Sequence, residues 1–393
     1  MDVACGYLGE SVAGKPGFTA EYYRCRQNGC MKSIITCAFV FAAIAAAWAE
    51  DTNQKGWVVA LPGYQIILPK DHFPHYQFRT EWWYFTGNVE TADGRAFGYQ
   101  LTFFRYGYRP PGTGQPVSSR FVINDVKFAH FAVTDVSAGK FHFDSRVSRG
   151  AYGEAGFADG KRLAWIDDWE LDFSNNFRLK AAAKDFAIEL ELTPEKPAVL
   201  QGEEGLRQKA DGPGHASYYY SITRLNTSGT VKIGAENYQV EGRSWFDREW
   251  ATNQLAPEQS GWNWFAIQLS DGSDMMLYQM RLRHGGIDSH SNGKWIAKDG
   301  VSADLAADEF QLSPQKYWVS PASKANYPVA WKLTVPKINL DLEISPTLED
   351  QELNLAVVYW EGSIRIKGRR AGKPVDGVGY MELTGYQGGA SGM

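Results

Sequence analysis

Residues 241–250 read Glu-Gly-Arg-Ser-Trp-Phe-Asp-Arg-Glu-Trp, which sets Arg243, Asp247, Arg248 and Glu249 among the rings of Trp245, Phe246 and Trp250. A carboxyl group buried beside such rings keeps its proton near neutral pH, because burial disfavours the charged form. Ring faces also stabilise a nearby cation, by roughly 0.5–2 kcal/mol each. Adding water to an unactivated alkene needs both, a strong proton donor and a wall that tolerates a carbocation. On this reading Asp247 is the general acid, and Glu249 is its partner or the base that orients water. Trp82, Trp83, Tyr84, Trp245, Trp250, Trp262 and Trp264 are the candidate walls of an apolar ligand site. A structural reading stands beside the chemical one, because charge clusters are often ion-pair networks. Strand alternation puts Asp247 and Glu249 on one face and Arg248 and Trp250 on the other, and Arg243, Arg105 or Arg281 could neutralise the acids.

Other chemistries find no support. Gly242-Arg243-Ser244-Trp245-Phe246 fails the G-x-S-x-G pattern at its last position, so no serine nucleophile is expected. No H-E-x-x-H occurs, and His130, His142, His215, His284 and His290 are scattered. His72 and His75 are close but flank Pro74 and lack an acidic third ligand at helical spacing, so no metal is expected. His130 reads as a hydrogen-bonded strand residue. No glycine-rich phosphate loop is present, which argues against nucleotides. A net charge of -5 argues against nucleic acid. No cofactor is expected, and the expected partner is a small apolar ligand.

The elements that must carry these residues are strands. The 393-residue chain has 14 Trp, 20 Tyr and 21 Phe, rings that enrich strands and line apolar pockets. Residues 81–89 and 97–105 flank Asp93-Gly94, a hairpin signal. Residues 127–135, 169–173, 217–225 and 231–240 read as further strands. Residues 185–192 and 338–344 alternate cleanly, as half-buried antiparallel strands do. Residues 109–119 and 197–216 read as loops. The second half repeats parts of the first. Trp262-Asn263-Trp264-Phe265, Asp271-Gly272 and Leu277 to Arg281 echo Trp82-Trp83-Tyr84-Phe85, Asp93-Gly94 and Tyr99 to Arg105, while residues 377–382 echo 242–247 in spacing and character. Short strands, hairpin turns and no βαβ rhythm point to an all-β fold of barrels or sandwiches.

Residues 31–50 (MKSIITCAFVFAAIAAAWAE) have a positive start, an apolar run and an Ala-Trp-Ala cleavage pattern. They read as a secretory signal peptide over 31–49, too short and wrongly flanked for a membrane span. Residues 1–30 are then a misassigned or non-native extension, and 50–75 an extended lead-in. All four cysteines, Cys5, Cys25, Cys30 and Cys37, precede the cleavage point, so the exported product has no thiol.

Taken together, EWWYFTGNV, DGRAFGYQLTFFR, SYYYSITRL, GRSWFDREW, GWNWFAIQLSDGSDMMLYQMR, YWEG and GVGYMELTGY resemble the AttH-like family over residues 76–386. That family includes the carotenoid 1,2-hydratases and exported proteins labelled "predicted secreted hydrolase". The resemblance implies two tandem lipocalin-like β-barrel domains, over residues 76–250 and 252–388. It also implies cofactor-free hydratase chemistry as one activity of the family. Where the hydratases often carry His between the Asp and Glu of W-x-D-x-E-W, this chain has Arg248. Two readings stay open. One is an exported carrier or chaperone for a lipid or isoprenoid-like molecule, associated with a membrane or exporter. The other is a cofactor-free hydro-lyase of periplasmic or secreted location, acting on such a molecule.

Overall fold

A computed structural model describes residues 56–112, 122–253 and 255–387, and strand alternation governs these residues. The expected leader, extension and cysteines lie outside the described residues. The first sheet begins with β1 (Thr80–Glu90), β2 (Ala96–Gly107), β3 (Asp125–Asp135) and β4 (Lys140–Ser148). Short strands follow: β5 (Ala155–Phe157), β6 (Arg162–Ile166), β7 (Trp169–Phe173), β8 (Phe177–Ala182) and β9 (Phe186–Pro194). After β10 (Val199–Leu200) and β11 (Leu206–Gln208) come two long strands, β12 (Ala216–Ile233) and β13 (Glu236–Ala251). The second sheet holds β14 (Gln259–Leu269), β15 (Asp274–Leu282), β16 (Asn292–Ile296), β17 (Ser302–Ala306) and β18 (Gln311–Val319). It closes with β19 (Asn326–Val335), β20 (Leu340–Pro346), β21 (Glu352–Asn354), β22 (Val358–Arg370) and β23 (Lys373–Leu383). Each sheet curls into a barrel-like domain, so the fold is all-β with two tandem lipocalin-like units.

The strand orders reveal a duplication. The first sheet runs β4-β3-β2-β1-β13-β12-β9-β8-β7-β6-β5, and the second β17-β16-β15-β14-β23-β22-β20-β19-β18. In each, the first hairpin of the domain pairs with its last strand. The two Asp-Gly turns sit in matching hairpins, with Gly94 at φ +85° and Gly272 at φ +89°, conformations that L side chains rarely adopt. One expectation needs correction. The expected loop at residues 197–216 contains β10 and β11, which pair with β12. Residues 241–250 lie in β13, as the alternation of Asp247 and Glu249 requires, and its register runs on to Ala251 opposite Thr80.

The interior of the first domain is filled by rings. Phe85 stacks on Phe246 at 4.3 Å, Phe131 on Phe186 at 4.7 Å and Trp83 on Phe157 at 4.5 Å. A charged network is buried among them. Glu81 receives Arg105 Nε and Arg248 Nη2, each at 2.5 Å, and the backbone N–H of His75 at 2.9 Å. Burial pushes Glu81 up, but the two guanidinium groups outweigh it and hold its carboxyl well below the usual range. The segment before β1 closes over this network, with His75 stacked on Trp250 at 3.9 Å.

Polar bonds fix the outward faces of the two sheets against each other. Asn88 donates to the Gly379 carbonyl at 3.1 Å, and Ser363 Oγ donates to Asn88 Oδ1 at 2.6 Å. Asp274 accepts from Arg224, Thr223 and Lys196 across the same seam.

Candidate functional site

The alternation of β13 decides which residues meet. Trp245, Asp247 and Glu249 point toward the second domain, while Phe246, Arg248 and Trp250 point into the core of the first. The two domains therefore share a buried aromatic layer of Tyr84, Tyr219, Trp245, Trp264, Tyr278 and Tyr380, with Trp82 and Trp262 packed against it. Of the seven expected wall residues, Trp82, Tyr84, Trp245, Trp262 and Trp264 lie here. Trp83 and Trp250 do not. One residue of offset along a strand turns them to the other face, where both stack against Arg248, with its Cζ 3.8 Å and 5.1 Å from their rings.

Asp247 is 4 % exposed and is held by neutral donors alone. Ser221 Oγ donates to Oδ1 at 2.5 Å, Trp245 Nε1 to the same oxygen at 2.6 Å, and Tyr219 OH to Oδ2 at 2.6 Å. Burial pushes its carboxyl up to about 7, and the three hydrogen bonds limit the rise. Trp264 packs edge-on to Tyr84 at 5.2 Å and to Trp245 at 6.3 Å, and its Nε1 reaches Tyr219 OH at 3.3 Å. The result is a buried acid, raised by burial and without a cation beside it, beneath an aromatic wall.

Glu249, two residues along the same face, forms a buried ion pair with Lys209 at 2.5 Å. The arginines that sequence offered as partners go elsewhere. Arg243 pairs with Glu195, Arg105 with Glu81, and Arg281 donates to the Thr384 carbonyl beneath Tyr386. Arg248, which stands where hydratases often have His, turns away from Asp247 and donates to Glu81 and to the Phe73 carbonyl at 2.8 Å. That departure leaves the acid's own face untouched.

The second domain contributes acids that the sequence reading did not single out as site residues. Glu361 and Glu382 stand directly opposite each other on β22 and β23, Glu361 buried and Glu382 half-buried. Trp262 Nε1 donates to Glu382 at 3.0 Å. The Tyr84 hydroxyl faces Glu361, whose charge makes that hydroxyl harder to ionise. Burial raises both carboxyls, and their mutual repulsion raises Glu361 further, so the pair holds a proton at neutral pH. The internal repeat carried a signal for Glu382, because residues 377–382 echo 242–247. Ser221, Lys209 and Glu361 had no such signal. His130, expected as a hydrogen-bonded strand residue, bonds to Tyr359 OH at 2.7 Å, and burial lowers it to about 4, so it is neutral.

Comparison with known proteins agrees with this architecture. The profile of the AttH-like family matches residues 59–386. The crystal structure of a protein assigned as AttH from Nitrosomonas europaea is 34% identical, with a TM-score of 0.75, covering 84% of this chain and 99% of that one. Kievitone hydratase from Nectria haematococca superposes with a TM-score of 0.64 at 16% identity, covering 83% of this chain and 94% of its own, and so shares the fold. No curated protein matches. The match over most of the chain, to both the family profile and a one-third identical structure, places this protein in the AttH-like family.

Proposed function

We propose that this protein is a cofactor-free hydro-lyase that adds water to an alkene of an apolar, isoprenoid-like ligand at the junction of its two domains. The observation that carries the reading is Asp247, a buried carboxyl with no cation against it and three neutral donors around it. Below about pH 7 such a group holds its proton, so the acid form that can give a proton to an alkene carbon is the populated one. The proton of Asp247 goes to the less substituted carbon. The π electrons form the new C–H bond, and the positive charge falls on the more substituted carbon, against the rings of Trp245, Trp264 and Tyr84. Water then forms the C–O bond and loses a proton to a carboxylate, with Glu249 as the group that orients it. The fold neighbour named as a hydratase supports the reaction class by analogy only. We also place the protein outside the cytoplasm, on the leader read at residues 31–49.

The carrier reading asks for an open barrel lumen, and the first domain's interior is occupied by stacked rings. What favours chemistry at the junction over carriage is the cation-free carboxyl of Asp247, which a carrier has no need of. The test incubates wild type and Asp247→Asn with citronellol, an isoprenoid alcohol with a trisubstituted alkene, and measures the hydrated diol by mass spectrometry. Product from wild type and a loss of about a hundredfold or more in Asp247→Asn is the expected result. Equal product from both proteins would overturn the assignment.

A further inference from the structure

On the same face as Asp247 lies a buried cation that no acid neutralises. Arg207, on β11, is 1 % exposed, and its Nε and Nη2 make no hydrogen bond. Its Cζ sits 3.7 Å from the centre of the Tyr278 ring and 5.5 Å from that of Tyr219, the residue whose hydroxyl holds Asp247. Ser217, opposite Arg207 in the register of β11 and β12, also has a buried hydroxyl with no partner. The other nearby cation, Lys209, is taken by Glu249. Among the described residues no carboxylate lies within ion-pair distance of Arg207, so the site keeps one uncompensated positive charge.

Leaving a guanidinium buried and unpaired is costly, because it gives up hydration without recovering it from the protein. Stacking on Tyr278 returns only part of that cost. Fixed donors of this kind are matched by a planar oxygen anion, which can accept from two N–H groups at once.

We propose that Arg207, with Ser217 and Tyr278, is the binding position for an acidic oxygen group of the ligand, a carboxylate or an enolate, so that the substrate is an isoprenoid-like acid rather than a plain hydrocarbon. The proposal rests on the junction being the ligand site, and it names which end of the ligand lies where. The anionic group sits on Arg207, and the alkene lies beyond Tyr219, at Asp247. Arg207 binds and orients the substrate and takes no part in proton transfer.

The experiment compares two probes that differ only at one end, citronellate and citronellol, by titration calorimetry at about pH 8. Wild type is expected to bind citronellate about tenfold or more tightly than citronellol. Arg207→Met should bring the two affinities within about twofold, and Arg207→Lys should keep part of the preference. Thermal melting checks the fold. Because the cation is unpaired, Arg207→Met should melt at or above the wild-type temperature, whereas a structural arginine would lower it. Equal affinity in wild type, binding of neither probe, or a preference that survives Arg207→Met would each overturn the proposal. Binding is read without turnover, so a failure of the hydration chemistry appears separately, in the Asp247→Asn product assay.

Discussion

Asp247 and Glu382 occupy matching positions in the two halves of the chain. Asp247 stands opposite Tyr84 across β13 and β1, and Glu382 stands opposite Trp264 across β23 and β14. Both point into the shared layer between the domains, near enough that the charge of Asp247 contributes to raising Glu382. A duplicated strand has thus placed one acid on each side of a single apolar seam, and the seam, rather than either barrel lumen, is where Asp247, Glu361 and Glu382, all raised by burial, meet.

The rate of water addition should follow the protonated form of Asp247. Its carboxyl is raised to about 7, so turnover is expected to be level below that pH and to fall about tenfold per unit above it. A pH–rate profile with citronellol as substrate reads this directly. Asp247→Glu should keep part of the activity with a shifted profile.

Stability should pass through a maximum near about pH 5. Asp247, Glu361 and Glu382 are all raised by burial, so between about 4.5 and about 7 the folded state holds protons that the unfolded chain has released. Their stabilising contribution is present at the low end of that window and is lost as pH rises through it. Each group gives a slope of up to about 1.4 kcal/mol per pH unit. Glu81 acts in the opposite sense: its carboxyl is held low, so its contribution is present above about 4.5 and is lost as acid protonates it. Urea unfolding at several pH values checks both limbs, and Glu382→Gln should flatten the upper one only.

Breaking the charged network inside the first domain should unfold the protein without a selective effect on the site. Glu81 serves two buried guanidinium groups, and removing one member of such a set leaves the others unpaired. Glu81→Gln is expected to cost about 3–5 kcal/mol in denaturant unfolding. At a temperature where the variant remains folded, its relative affinity for citronellate and citronellol should match wild type.

The two tryptophan faces should separate in the same way. Trp264 lies over the acid and Trp83 lies under Arg248. Trp264→Phe, which removes the strongest ring for a developing cation, should lower kcat by about threefold to tenfold. Trp83→Phe gives up the Nε1 bond to the His72 carbonyl at 2.7 Å and should cost about 1–3 kcal/mol of stability, with kcat per folded molecule unchanged. Steady-state kinetics beside thermal melts distinguish the two.

Much of this was readable from the chain because its signals are local. The alternation of 185–192, the Asp-Gly turns and the order of the Trp-rich repeats each report on a few neighbouring residues, and period two places Asp247 and Glu249 on one face without further help. The partners of those acids were not readable. Lys209 reaches Glu249 from a segment that reads as a loop, and Glu361 reaches the seam from more than a hundred residues away, by docking of one sheet on another. Trp83 and Trp250 read as wall residues on ring type alone, although period two already sets Trp250 on the face opposite Asp247. For Trp83 the face follows from register, which sets it opposite Arg248.

The central claim is that burial keeps Asp247 protonated close to neutral pH. Carbon NMR of protein labelled at aspartate carboxyl positions, titrated from about pH 4 to about pH 9 and assigned with Asp247→Asn, measures it on the protein alone. A resonance missing from the variant and titrating near 7 in the wild type is the result this account predicts. A midpoint near 4, in the ordinary aspartate range, would mean that Asp247 is ionised in the folded protein, and it would contradict a role as the proton donor.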